Sequence, residues 1–383
     1  MADRGGPLAG IRVVELASIG PIPFCGMVLS DLGADIIRVD RAPDVATANP
    51  EHSGRNALER GRRSIGVDVK APGGVDVVLR LIENADILIE GFRPGVAERL
   101  GLGPDDCRAR NPRLVYGRMT GWGRTGPLAD RAGHDIDYIA IGGALGAIGP
   151  RGGAPVPPIN LVGDFGGGGL LLAFGLLAAL VERASSGNGQ VVDAAMVDGT
   201  AMQLAPFYAA RQIGYWSDER GTNDLDGGRP WYRAYLCADG GYVAVGAIEP
   251  KFYDALLTGL DLDAGAIPSR DDPVQHDALH ALFEERFRTR SRDEWAAHFA
   301  DSDACVAPVL SLAEAPMHPH NVAREVFHEV EGVIQPGPAP RFDRTPGSIG
   351  PRCYPGQHTD EVLRELSFDD EEIAKLRAAG AVL

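Results

Sequence analysis

The apolar runs IRVVELA (11–17) and ADIIRVD (34–40) enclose a segment opened by proline and glycine and long enough for one helix, a strand–helix–strand signature. The rhythm repeats as SIGVDV (64–69), a helix-like VDVVLRLIENA (75–85), DILIEG (86–91) and RLVYGRM (113–119). Such alternation predicts a parallel sheet covered by helices, a Rossmann-like α/β domain. A Gly/Pro-rich stretch from Gly142 to Pro158 interrupts it; a long Ala/Leu helix, roughly Gly168 to Arg183, follows and ends at SSGNGQ before the strand VVDAAMV. Turn formers cluster at GTNDLDGGRP (221–230), and WYRAYLCADGGYVAVGAIEP then reads as a hairpin around Asp239-Gly240-Gly241, with helical DALHALFEERF and RDEWAAHFA behind it. The expected organisation is a large α/β domain over 1–220, a smaller α+β domain over 221–332 and a tail, 333–383, whose helical end returns to the large domain.

Composition narrows the function. A chain of 383 residues that is 44% hydrophobic is a folded globular enzyme by default. The net charge of -16 argues against nucleic acid and membrane surfaces as partners. That charge is unevenly spread, with a net of -2 over residues 1–110 and -14 over the rest, so the amino-terminal third is where an anionic small ligand is expected. The five cysteines, Cys25, Cys107, Cys237, Cys305 and Cys353, are scattered and form no close pair, which fits a reducing cytoplasm. The first segment lacks the apolar centre of a signal peptide, and the most apolar run, Gly169 to Val181, is too short to span a bilayer.

Several chemistries are excluded by their missing motifs. The first turn, ASIGPIPFCG, lacks the spaced glycines that let a backbone approach a pyrophosphate, and neither GxxxxGK[ST] nor GxSxG occurs. His276 and His280 are spaced i,i+4 and His318 and His320 flank a proline, but without HExxH or a matching carboxylate set they read as solvated surface histidines, and no metal is expected. Three segments carry more. GWGRTGPLADRAGHDIDY (121–138) is an irregular loop ending in His134 and Asp135; INLVGDFGGGG (159–169) places Asp164 where a long helix begins; YVAVGAIEP ends in Glu249. Taken singly, these read as a surface histidine, a helix cap and a solvated strand-end acid. Four consecutive glycines, however, exceed what a cap needs and allow a ligand to approach main-chain donors.

Together the three segments resemble the α-methylacyl-CoA racemases of the family III CoA-transferase superfamily. The likeness runs over nearly the whole chain, through DLGADIIRVDR, GFRPGVAERLGLG, MTGWGRTGP, GHDIDY, NLVGDFGGGG, GQVVDAAMVDG and ADGGYVAVGAIEP. It implies epimerisation of a 2-methyl-branched acyl-CoA by 1,1-proton transfer through an enolate, with His134 and Asp164 as the two acid/bases and Glu249 orienting His134. Two groups are needed because one base would only return the same hydrogen to the same face. It also implies that Arg38, Val67, Asp68, Val69, Lys70, Gly91, Phe92, Arg93, Arg99, Gly133, Asp135, Ile136, Asp137 and Tyr138 contact CoA, with Arg60, Arg62 and Arg63 adding local charge. No separate cofactor is implied, CoA being part of the substrate. The main-chain amides of Asp164 and Phe165 are the expected donors to the thioester oxygen. The fold implied is an interlocked homodimer whose subunits share the active site, so that Glu249 acts on His134 of the same or of the other subunit. The runner-up is a CoA-transferase in which Asp164 attacks the thioester to form a mixed anhydride; a non-catalytic CoA-binding protein is the third reading. The residues leave the acyl chain open, since Met196, Met202 and Phe207 suit either a substrate pocket or a core.

Overall fold

A computed structural model describes residues 5–48 and 56–383. By internal contacts the chain forms two compact units, one of residues 1–142, 159–203 and 325–383, the other of 143–158 and 204–324.

The first unit is built on six strands: β1 (Arg12–Leu16), β2 (Asp35–Asp40), β3 (Arg62–Gly66), β4 (Ile87–Glu90), β5 (Val115–Thr120) and β6 (Val191–Ala195). All pair in parallel, in the order β3-β2-β1-β4-β5-β6. The first five are buried on both faces, as a parallel sheet between helices requires. One face packs Val14, Ile37 and Leu88 against the amphipathic helix Gly74–Glu83, and the other packs Val13, Ile36 and Ile89 against the helices Pro21–Asp31 and Leu171–Ser186. Strand order reverses between β1 and β4, and ligands in such sheets bind in the crevice this opens at the strands' carboxyl ends.

The tail packs on this unit. Helices Thr359–Glu365 and Asp370–Ala378 put Val362, Leu363 and Ile373 into the core beside Ile65 and Val77, and the amide of Asp68 donates to Ala381 across 2.9 Å.

The apolar helix after the Gly/Pro stretch is longer than its sequence suggests. A π-helical turn, Leu161–Leu170, runs straight into the α-helix Leu171–Ser186, and Gly187 in the left-handed region closes it. The expectation that no run was long enough to span a bilayer is thereby corrected: at 26 residues, Leu161–Ser186 is long and apolar enough by composition. One side of it, Leu172, Ala173, Leu176 and Ala179, is nonetheless buried in the core.

The second unit holds an antiparallel sheet of β7 (Tyr232–Leu236), β8 (Tyr242–Gly246) and β9 (Val306–Pro308), with the expected turn at Asp239–Gly241. Its aromatic core includes Tyr235, Phe283, Phe287 and Trp295. His276 belongs to this unit's interior and hydrogen-bonds the Arg270 carbonyl at 2.7 Å, so it is a structural residue and not the solvated one expected. A short hairpin, β10 (Phe327–Val330) and β11 (Val333–Pro336), lies in the first unit.

Candidate active site

A cleft of about 600 Å³ opens at the carboxyl ends of β1, β4 and β5, lined by Ser18–Ile22, Gly91–Pro94 and Met119–Trp122 from the segments following those strands. Into it project His134 and Asp135 from the irregular loop, and Asn160 and Asp164 from the start of the long helix. The two residues expected to exchange a proton therefore share one cleft.

His134 sits immediately before the helix Asp135–Ile141, its amide donating to the Asp137 carboxylate at 2.9 Å and its side chain exposed. The preceding loop is held by close packing at a glycine: a β-carbon on Gly133 would lie 2.8 Å from the Tyr138 ring and 3.0 Å from Trp122. Tyr138 stands edge-on to Trp122 at 4.8 Å and donates its hydroxyl to the Gly133 carbonyl, so these two rings set the position from which His134 enters the cleft.

Asp164 is fixed from two sides. Its carboxylate accepts the side-chain amide of Asn160 at 3.0 Å, and its own amide donates to the Asp135 carboxylate at 2.8 Å. Asp135 thus ties the two arms together, following His134 in the chain and holding Asp164 in space. Burial pushes the Asp135 carboxyl above its ordinary range, opposed by the hydrogen bond from the Asp164 amide. Asp164 lies in the π-helical turn, a distortion frequent at functional sites. Its carboxylate faces Gly20, where φ is 68° and a β-carbon would come within 3.1 Å of an Asp164 oxygen.

Two sequence expectations change here. The glycines after Phe165 do not open the backbone to a ligand. They let the helix pack closely: β-carbons would lie 2.8 Å from the Gln203 side chain at Gly166, 2.9 Å from the Thr200 amide at Gly167 and 2.5 Å from the Pro21 carbonyl at Gly169. Nor are the amides of Asp164 and Phe165 free for an oxyanion, since one serves Asp135 and the other donates to the Asn160 carbonyl at 3.3 Å. At the start of the helix Asp135–Ile141 the Asp137 and Tyr138 amides donate to the His134 carbonyl, at 2.9 and 3.3 Å.

The remaining expected residues fall into groups. Gly91, Phe92, Arg93, Gly133, Asp135 and Tyr138 line the cleft. Val67 and Val69 join Phe92 around a narrow apolar hollow of about 50 Å³. Lys70, Arg99, Ile136 and Asp137 are exposed, and Asp68 is half-buried. Arg38 is buried, its Nε donating to Asp40 at 2.8 Å. Arg60 and Arg62 are likewise buried, bound to Asp31 and Glu15. Glu249 lies in the second unit, exposed, directly before the helix Pro250–Gly259. Asn160, Trp122 and Arg131 line the cleft without having been singled out from sequence. Asn160 carries one usable signal, standing four residues before Asp164, a spacing at which helical side chains meet. Among the described residues no group of three or more metal-ligating side chains converges.

The pattern of a profile for CoA-transferase family III matches residues 8–359. The chain belongs to CoA-transferase family III. Among relatives within this family, it is 45% identical over 374 residues to the alpha-methylacyl-CoA racemase of Mus musculus, covering 97% of this chain and 96% of that protein. The Homo sapiens racemase is 42% identical with the same coverage. Against the succinyl-CoA:glutarate CoA-transferase of Homo sapiens the identity is 31% over 399 residues, covering 98% of this chain and 90% of the relative. Among solved family III structures, a CAIB/BAIF family protein from Brucella suis superposes with a TM-score of 0.82 at 29% identity, covering 95% of this chain and all of that one.

Proposed function

We propose that this chain epimerises 2-methylacyl-CoA thioesters, His134 and Asp164 removing and returning the α-proton on opposite faces of a planar enolate. The observation that carries this reading is the presence of both groups in one cleft, tied through Asp135. In one direction the imidazole takes the proton and the protonated carboxyl delivers another; in reverse the roles exchange. The oxygen that becomes negative needs preorganised donors at the cleft. The likeness to two racemases at 42–45% identity supports this chemistry over transfer to an acid.

Arg93 and Arg131 at the cleft suit the coenzyme's phosphates. Family likeness likewise assigns Val67, Val69 and Phe92, around the small hollow, to the coenzyme. Family likeness adds Arg38, Asp68, Lys70, Arg99, Ile136 and Asp137 to the coenzyme contacts. The same proposal includes a cytoplasmic homodimer in which Glu249 supports His134 of the other subunit. Exposed Phe174 and Val181 on the long helix offer apolar surface for such a contact.

Single epimers of a 2-methylacyl-CoA panel in deuterated buffer test the reaction. An epimerase takes up solvent hydrogen at C2 and equilibrates the epimers with no added acid. Turnover only after a carboxylic acid is supplied would instead assign Asp164 as a nucleophile.

A further inference from the structure

Below the cleft floor lies a buried charged cluster that the proton-transfer reading leaves unused. Glu90 ends β4 and is 2% exposed, with one carboxylate oxygen accepting the Phe92 amide at 2.6 Å. That bond closes the Gly91–Phe92–Arg93 turn, each residue of which lines the cleft. Across the sheet Glu90 is in register with Arg118 of β5, and Arg118 with Asp193 of β6. The buried Nε of Arg118 has no hydrogen-bond partner among the described residues and stands 3.6 Å from Glu90. Its other end donates to Glu98 at 2.6 Å, and Glu98 also binds Arg124 at 2.9 Å, on the loop that leads to His134.

We propose that Glu90 is a positioning residue for the coenzyme: its ionised carboxylate holds the Gly91–Arg93 turn through the Phe92 amide. Through Arg118 and Glu98 it links that turn to the loop bearing His134. The proposal rests on the reading of this cleft as a CoA-thioester site. A charged acceptor binds an amide more strongly than a neutral one, so protonating Glu90 weakens the turn and relaxes its hold on Arg118. The protonation falls in an accessible range, because burial raises the carboxyl to about 7, opposed by the Phe92 amide, Arg118 and Arg124 and reinforced by Glu98. Tyr116 and Cys107 also face the group, and burial pushes both their pKa values up, so neither ionises with it near neutrality. Asp193, beside Arg118 and Arg124, is raised by burial as well.

Dephospho-CoA is the probe, since it lacks the 3′-phosphate that would itself titrate in this range. Calorimetric binding between pH 8.5 and 5.5 is expected to weaken about tenfold in the wild type, with a midpoint near 7. Glu90→Gln, which keeps an acceptor for Phe92 but never ionises, should bind at the weak, acidic level throughout, with kcat at saturating substrate changed less than about twofold. Glu98→Gln, on a side chain 39% exposed, should keep the titration but move its midpoint to lower pH, because it removes a negative neighbour and frees Arg118 for Glu90. An inflection that survives in Glu90→Gln, or a midpoint unmoved by Glu98→Gln, overturns the role given to Glu90. Absence of binding by the wild type at every pH would remove the coenzyme reading of the cleft, and this inference with it.

Discussion

The two edges of the six-stranded sheet carry similar side chains and use them in opposite ways. At the amino edge Arg12 and Arg63 both close on Asp35, Arg63 reaches on to Glu365, Arg60 forks onto Asp31 and Arg183 holds Asp86. At the carboxyl edge Asp135 accepts the Asp164 amide and Asp164 the Asn160 side chain, neither bound to an arginine among the described residues, and Glu90 faces the Arg118 Nε at 3.6 Å. Charges that are fully paired hold the fold, and charges left short of partners, beside a cleft, are available for chemistry. A substitution at one edge should therefore be read in stability, and at the other in kinetics.

The largest effect should come from the carboxyl edge. Asp164→Asn keeps the shape and the contact with Asn160 but removes a proton carrier, so epimerisation of a single epimer should fall about 10³-fold, with the melting temperature unchanged. The conversion of one epimer into the other gives the rate, and epimerisation within about tenfold of wild type would show that Asp164 is not an acid/base, whereas deuterium uptake with retention at His134's face is expected to survive. The matching change at the amino edge is Asp31→Ala. It leaves the Arg60 guanidinium, 1% exposed, with the Gln335 side chain and the Pro336 carbonyl as its partners among the described residues. Breaking such a pair costs on the order of 3–5 kcal/mol, measured as a shift in the urea midpoint, while kcat of the folded enzyme stays at the wild-type value. A fall in kcat without loss of stability would erase the distinction between the edges.

Glu90 sharpens the comparison because it is a buried acid held for a purpose other than stability. The native state keeps its proton up to about pH 7, whereas the unfolded chain releases it near the ordinary glutamate value of 4.5. Across that window the folded state binds more protons than the unfolded one, so this residue's contribution to stability falls as pH rises. Glu90→Gln lacks that dependence. Its stability relative to wild type should increase from pH 4.5 to pH 8, by up to about 3 kcal/mol from the linkage relation, and denaturation at the two pH values measures the change. A difference independent of pH would mean that Glu90 is ionised in both states throughout.

How much of this was legible in the sequence divides along the same line. The strands, the crossover helices and the hairpin at Asp239–Gly241 announced themselves because each rests on local periodicity and turn chemistry. His134 and Asp164 were found because family likeness marked them, and folding puts them in one cleft. What failed were inferences from residue type to microenvironment where partners remote in sequence decide it. The glycines after Phe165 looked like a ligand cradle, yet they serve helix packing against Pro21 and Thr200, partners that are remote in sequence. Arg60, Arg62 and Arg63 looked like a phosphate cluster, but Asp31, Glu15 and Asp35 neutralise them, and no local pattern tells a paired arginine from a free one. The His276 ring, too, acquires its structural role only from the Arg270 carbonyl.

The smallest effect expected is also the most direct contrast, between Arg63 and Arg93. Arg63 is buried and bonded to Asp35 and Glu365, so Arg63→Ala strands carboxylates at the amino edge and should lower stability while sparing KM. Arg93 is exposed at the mouth of the cleft, where a phosphate contact stays partly hydrated. Removing it should cost about 1.4 kcal/mol of binding, which appears as a roughly tenfold higher KM for the acyl-CoA, with kcat and the melting temperature unchanged. The salt response separates a phosphate contact from a change of shape, since the gap between Arg93→Ala and wild type should narrow as ionic strength rises and screens the charge. If Arg93→Ala bound acyl-CoA as tightly as wild type while Arg63→Ala lost affinity at full stability, the division of labour between the two edges would be reversed.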